Sequence, residues 1–518
     1  MRNRKKVLCV LLVGFTAAAG ARFRAQGLPS PKSPAAPAST SNWNPKTITY
    51  IKASNTSKED QFGFTIALSA DCTTMAVGAV GEDNSGRGIN VKPVDHSAVS
   101  SGAVYIFTRK GATWAQQAYL KASNADAGDE FGTSLALSSD GNTLAVGAES
   151  EESGAKGVNG NQADNSGPGA GAVYIFARSA GVWSQEAYVK ASNTGEAEGD
   201  EFGYSVALSG DASTLAVGAH SEHSAATGIN GNQYEHSPDA YGAVYVFTRD
   251  GHTWSQQAYV KAWNTVTRLF GYSVALNANG NTMAVGSYDE NGGRGALYIF
   301  GRSGATWTQQ TRLQASNAES NDQMTSSLAI SADGNTIAAG AYDEESFLTG
   351  VQPPTAGAHD EPLRVPGADP LSTGAAYVFV RTGGAWTQQA YIKATNAHKY
   401  DQFGWAIALS GDGNTLAVGA HFESGAATGL NGNQSDHSAE FAGAAYVYTR
   451  SGATWSPAAY VKASNTQANA EFGLSVALNS DGTILAVGSP RENGGATGVN
   501  GKQTDRSAKY SGAAYVYY

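Results

Sequence analysis

Seven copies of one motif run along this chain, and they constrain its fold more than any other feature. The element Phe-Gly-x-Ser-x-Ala-Leu-Ser, or a close variant, begins at Phe62, Phe131, Phe202, Phe270, Phe403 and Phe472, with a degenerate copy at Met324. After a short turn each is followed by a second element of the type Leu-Ala-Val-Gly-Ala. A third, Gly-Ala-Val-Tyr-Ile-Phe, starts at Gly102, Gly171, Gly242, Gly295, Gly374, Gly443 and Gly512. A fourth, Trp-x-Gln-Gln-Ala-Tyr-Ile-Lys-Ala-Ser-Asn, is led by Trp114, Trp183, Trp254, Trp307, Trp386 and Trp455. A unit of about 70 residues repeated in this way buries its apolar faces against its neighbours.

The four runs in each copy are rich in Val, Ile, Tyr, Phe and Trp and are separated by Gly, Asp and Asn, which predicts four strands. An up-and-down four-stranded unit repeated radially is a propeller blade, so the expected fold is all-β, a seven-bladed β-propeller over residues 43–518. The ends support closure. The last copy stops at its third strand (Gly512 to Tyr518), while an unclaimed fourth-strand sequence stands at the front, Trp43 to Asn55. The N-terminal strand is expected to complete the last blade, because an open stack would leave two raw edges.

Composition narrows the function. The chain has 63 Gly but 15 Pro, 15% charged and 10% aromatic residues, a profile of tight turns between short aromatic strands and not of disorder. Its formal net charge of −10 argues against a nucleic-acid partner, since phosphate binding needs clustered Lys and Arg. Residues 1–21 place Arg2, Arg4, Lys5 and Lys6 before an apolar run and small residues, a signal-peptide pattern too short to span a membrane. Residues 22–42 are Pro/Ala/Ser-rich and read as a tether. Loss of the leader takes Cys9 and leaves Cys72 alone, so no intrachain disulfide is expected. Export to the periplasm, the cell surface or the medium is expected.

The pairing of Phe-Gly with a Gly-Ala-Val-Tyr-Ile-Phe element about 40 residues later resembles the FG-GAP repeat family, which includes the integrin α-subunit head. The resemblance covers Trp43 to Tyr518 and implies a seven-bladed propeller serving adhesion or ligand binding, here in an exported, bacterial protein. The third residue of Gly-Ala-Pro is missing from six copies and is present only as Pro490, after Ser489. The family's calcium loops carry several carboxylates between strands 1 and 2. Here each such turn has at most one (Asp71, Asp140, Asp211, Asp333, Asp412, Asp481), fewer than calcium takes. Calcium is the one ion that the resemblance leaves open; no other cofactor is expected, and these Asp residues are expected to cap turns.

Topology puts the longer 2–3 and 4–1 loops on one face, which is therefore the expected binding face. In copies one, two, three, six and seven the 2–3 loops share a length of 22 residues and recurring polar positions. These are Gly88, Gly157, Gly228, Gly429 and Gly498; Asn90, Asn159, Asn230, Asn431 and Asn500; and Asp95, Asp164, Glu235, Asp436 and Asp505. They offer hydrogen bonds to sugar hydroxyls or oxygen ligands to a cation, or alternatively hydrogen bonds to their own loop backbone. The 4–1 loops add Asp60, Asp129, Asp200, Asp322, Asp401 and Glu471. Three residues past each Gly-Ala or Gly-Ser stands Glu82, Glu151, Glu222, Glu290, Glu344, Glu423 or Glu492. This acidic ring either pairs with the fourth-strand lysines Lys52, Lys121, Lys190, Lys261, Lys393 and Lys462 or attracts cations. Copy four has a short 2–3 loop and copy five a long one, Tyr342 to Thr373.

Catalytic signals are weak. His220 and His223 lack the companion ligands of a metal site. Asp95-His96-Ser97 and Asp436-His437-Ser438 are neighbours in sequence, whereas a triad is made by geometry. The expected function is a non-catalytic, monomeric scaffold that binds a protein or cell-surface ligand. A lectin using the 2–3 loops is the alternative, and a polysaccharide hydrolase or lyase is a more distant one.

Overall fold

The computed structural model describes residues 43–93, 95–194, 199–235, 242–264, 268–354 and 372–518. The expected leader and tether lie outside these residues, as does most of the long loop of copy five. In the first repeat, strand 1 (Phe62–Leu68), strand 2 (Thr74–Ala79), strand 3 (Ala103–Lys110) and strand 4 (Thr113–Leu120) are antiparallel neighbours in that order. Six further sheets repeat this order, giving seven blades numbered here by sequence copy. Strand 2 is buried along its whole length in every blade because both its faces meet other sheets. The core is a series of inter-blade clusters in which one blade's strands pack on the next blade's.

The repeated motifs are the two halves of each blade seam. Phe62 sets its edge against Tyr105 at 5.3 Å between ring centroids, a favourable aromatic arrangement that recurs in six blades. Where Met324 replaces Phe, Tyr377 turns to stack on Tyr391 at an interplanar angle of 12°. The glycine of Gly-Ala is needed for close approach. Gly102 has φ +78°, and a Cβ there would lie 2.2 Å from the carbonyl oxygen of Phe131 in the next blade.

Closure follows the same rules. Strand Ile48–Ile51 pairs antiparallel with Ala513–Tyr517, aligning Ile48 with Tyr517 and Ile51 with Ala514, so the front of the chain is strand 4 of blade 7. Trp43 Nε1 donates to the carbonyl of Gly482 at 3.0 Å. At this same end of the blades, one residue from each 1–2 turn donates its amide to the carbonyl of the next blade's turn. The donors are Ala70, Ser139, Gly210, Ala278, Ala332, Gly411 and Ser480, and Ser480 returns to Ala70 at 2.9 Å. This is a complete circle of backbone hydrogen bonds.

One element departs from the four-strand expectation. Blade 5 has a short fifth strand, Val351–Gln352, on the outer edge of its strand 4. Single bridges occupy the same place in five other blades, Ile89 to Leu120 and Val499 to Ile51 among them. The 2–3 loops thus fold back and cover the edges that a propeller would otherwise expose.

Candidate functional site

This fold-back assigns work to most of the recurring loop positions. Asn90, Asn159, Asn230, Asn431 and Asn500 have φ between +52° and +56°, a conformation Asn tolerates. Each accepts at Oδ1 the amide of a strand-4 tyrosine, at 2.9–3.2 Å, and donates its own amide to that tyrosine's carbonyl. The glycine two residues earlier (Gly88, Gly157, Gly228, Gly429, Gly498) accepts the amide of the following lysine, and Gly350 does so in blade 5. Asp95, Asp164, Asp436 and Asp505 accept the amide two residues on, in Asx turns. The carbonyl of Glu235 accepts the amide of Ala225. Gln233, Gln434 and Gln503 accept a hydroxyl from the preceding blade's Ser192, Thr395 and Ser464, clasping neighbours together. The asparagine oxygens are therefore committed to the frame.

The acidic ring lies below the surface. All seven glutamates are at most 3% exposed. Glu82 shows the pattern: Oε1 accepts Tyr119 Oη at 2.7 Å and Asn55 Nδ2 at 3.1 Å, and Oε2 accepts Lys121 Nζ at 2.8 Å and the amide of Asn84. Lys52, Lys190, Lys261, Lys393 and Lys462 repeat the ion pair with Glu492, Glu151, Glu222, Glu344 and Glu423. Blade 4 has Gln314 where the others have Lys. There Arg312, two residues earlier, reaches Glu290 at 2.6 Å and occupies the place of the tyrosine. A buried charge without a partner is costly, and the substitution of two positions together keeps Glu290 paired.

The 4–1 carboxylates also turn inward, which corrects their expected place on the binding surface. Asp60, Asp129, Asp200, Asp322, Asp401 and Glu471 are at most 6% exposed. Asp60 accepts the amide of Ser57 at 2.6 Å, and Asp129 that of Asp126 at 2.8 Å. Burial pushes Asp60 and Asp129 up to about 7, and Asp322 and Asp401 up to about 8.

On the opposite face, Asp71, Asp140, Asp211, Asp333, Asp412 and Asp481 each accept the amide two residues on within their turn. Among the described residues no group of three or more His, Cys, Asp or Glu side chains is arranged to hold a metal ion. His220 and His223 face different carboxylates, Glu201 at 2.9 Å and Asp200 at 3.6 Å. His437 stacks on His398 of the adjacent 4–1 loop at 4.6 Å.

What remains is the mouth of the central channel, on the face carrying the 2–3 and 4–1 loops. A cavity of about 480 Å³ runs down strand 1 of every blade and is lined by Phe64, Tyr204, Tyr272, Tyr342, Trp405 and Glu149 among others. Its aromatics come from two positions that differ from blade to blade. One is the residue after Phe-Gly (Phe64, Thr133, Tyr204, Tyr272, Trp405, Leu474); the other is the residue after Gly-Ala or Gly-Ser (Val80, Glu149, His220, Tyr288, Tyr342, His421, Pro490). In blades 3 to 6 they join into one arc. Tyr204 lies 4.9 Å from Tyr272, which stacks on Tyr288 at 4.5 Å; Tyr288 and Tyr342 share a hydroxyl hydrogen bond of 2.7 Å. Tyr342 then meets Trp405 at 4.8 Å, and Trp405 meets His421 at 4.4 Å. Burial, with the charge of Arg491, lowers His421 to about 3, so its imidazole is neutral. Sequence reading by recurrence passes over both positions because they are the ones that do not recur.

The blades, their seams and the closing strand define the class, a seven-bladed β-propeller. Within that class the FG-GAP repeat model matches residues 47–107, 114–176, 183–247 and 386–448, each stretch running from strand 4 of one blade to strand 3 of the next. The chain belongs to the FG-GAP repeat β-propellers. The crystal structure of the β-propeller domain of Cps50 (Swd1) from Myceliophteria thermophila is similar, with a TM-score of 0.48 and 10% identity over 91% of this chain and 99% of that one. No curated protein matches the chain.

Proposed function

We propose that this protein is an exported, non-catalytic binding scaffold that takes a protein or cell-surface ligand at the mouth of its central channel. The observation that carries this reading is the aromatic arc of blades 3 to 6, built at variable positions on an otherwise constant frame. Rigid aromatic side chains grouped around a concavity are what binding hot spots are made of. The leader-like residues 1–21 support export. Carbohydrate binding is the second reading. The same aromatic faces favour it, with stacking at the mouth replacing contacts to the loop asparagines.

The test is to probe arrayed glycans and cell-surface proteins with the mature chain and with a Tyr272→Ala/Trp405→Ala variant. Binding lost in that variant and kept in Asp412→Ala, on the far face, is the expected result. Binding that survives the mouth variant and disappears with Asp412→Ala would reverse the assignment of faces.

A further inference from the structure

The mouth holds polar atoms that the fold leaves unsatisfied. Oε2 of Glu149 and Nδ1 of His421 are buried without a hydrogen-bond partner among the described residues. Such groups are rare in folded chains and mark places where something else supplies the partner. Glu149 is the most telling, because it lines the cavity and is ionisable. The two charges that act on it, Glu130 and Glu201, are both carboxylates, and Glu130 also hydrogen-bonds to it. Its charge acts in turn on the phenols of Tyr204 and Tyr272. His220 is held by Glu201 at 2.9 Å. An acidic corner thus adjoins electron-rich aromatic faces.

We propose that blades 2 to 4 of the mouth form a site for a primary alkylammonium group, whose N–H donors meet Glu149 Oε2 and whose hydrocarbon stem lies on Tyr204 and Tyr272. The inference rests on the reading of the mouth as the binding face. Once the carboxyl is ionised, the partner that Oε2 needs is a donor, which a quaternary ammonium lacks. A positive charge is favoured beside the carboxylates of Glu130 and Glu201 as a neutral alcohol is not, and aromatic faces attract cations. A free amine and a lysine side chain present the same group. Burial, with the charges of Glu130 and Glu201, pushes Glu149 up to about 8. The empty site is therefore largely protonated at neutral pH, and an arriving ammonium displaces that proton.

The experiment is calorimetric titration of the mature chain with 2-phenylethylammonium, with Nα-acetyl-lysinamide and with neutral 2-phenylethanol, in buffers of different ionisation heat. The ammonium should bind at least about tenfold more tightly than the alcohol and release a proton at pH 7. Glu149→Gln should weaken it about tenfold and abolish the proton release, with Glu201→Gln as the second variant. Tight binding of lysinamide would point to a polypeptide ligand, and binding of the free amine alone to a small one. Equal binding of ammonium and alcohol, unchanged affinity in both variants, or no binding of either amine at millimolar concentration would overturn the proposal. If the alcohol binds and Tyr272→Ala weakens it, the mouth still stands as the binding face and only the charge assignment falls.

Discussion

In blade 2 two glutamates stand two residues apart in one loop. Glu151 accepts Tyr188, Lys190, Asn124 and the amide of Ser153, so every lone pair it can offer is used. Glu149 faces other carboxylates and has an oxygen with no partner. Glu151 belongs to a layer that all seven blades share, where glutamate, cation and hydroxyl knit strand 2 to strand 4. Glu149 belongs to the layer above, where the residue varies among Val, Glu, His, Tyr and Pro from blade to blade. A buried ionic layer tolerates change only when its members change together, as Arg312 and Gln314 do. A layer resting on it can vary freely.

The comparison can be broken at several points, and the largest effect is expected at closure. Deleting Trp43 to Asn55 removes strand 4 of blade 7 and the cation of its knot, Lys52. The loss should far exceed the roughly 1 kcal/mol of an ordinary substitution. A thermal melt matching that of the intact mature chain would refute ring closure by this strand.

Next comes the knot of blade 4. Arg312→Tyr leaves Glu290 buried without its cation and should cost about 3 kcal/mol in denaturant unfolding. Adding Gln314→Lys recreates the arrangement of the other blades and should restore most of that loss. A double variant as unstable as the single one would show that the positions are not coupled.

The four aspartates pushed up to about 7 or 8 give a pH dependence of definite sign. A carboxyl with a higher pKa folded than unfolded adds stability that is complete below its unfolded value and is lost as pH rises through the folded one. The melting midpoint should fall between pH 5 and pH 8.5. A midpoint that rises over this window would contradict the burial of these groups.

Asn431→Ala should cost about 1 kcal/mol through its lost hydrogen bond to strand 4, plus the strain of a positive φ. Asn431→Gly should relieve the strain alone. The smallest change in stability is expected at the mouth, where Trp405 is partly exposed. Trp405→Ala should weaken ligand binding more than it lowers the melting point, and the reverse order would place Trp405 in the frame.

The frame was legible because its signals are short and repeated. Phe-Gly and Gly-Ala mark each seam, and the unpaired third strand at Tyr518 points to its partner at the front. The fold-back of the 2–3 loops was not legible. A Gly-x-Asn-Gly run reads as a turn, and nothing local says that Asn431 reaches the edge at Tyr460. In blade 5 the same bridge hides behind Gly350 and Val351, which lack the asparagine. The inward turn of Asp401 was missed for the opposite reason: a loop aspartate reads as exposed unless its backbone partner, here His398, is known.

The circle of amides under the channel has an electrostatic consequence. All seven bonds point the same way around the axis, from Ala70 to Ser139 and onward until Ser480 returns to Ala70. Peptide dipoles aligned along a helix add up to a field at its ends. Arranged head to tail in a closed circle they are tangential and cancel, so this end contributes no net axial field. The bias toward a ligand at the mouth is then left to groups nearer the other end, and a carboxyl that titrates there, such as Glu149, can change it.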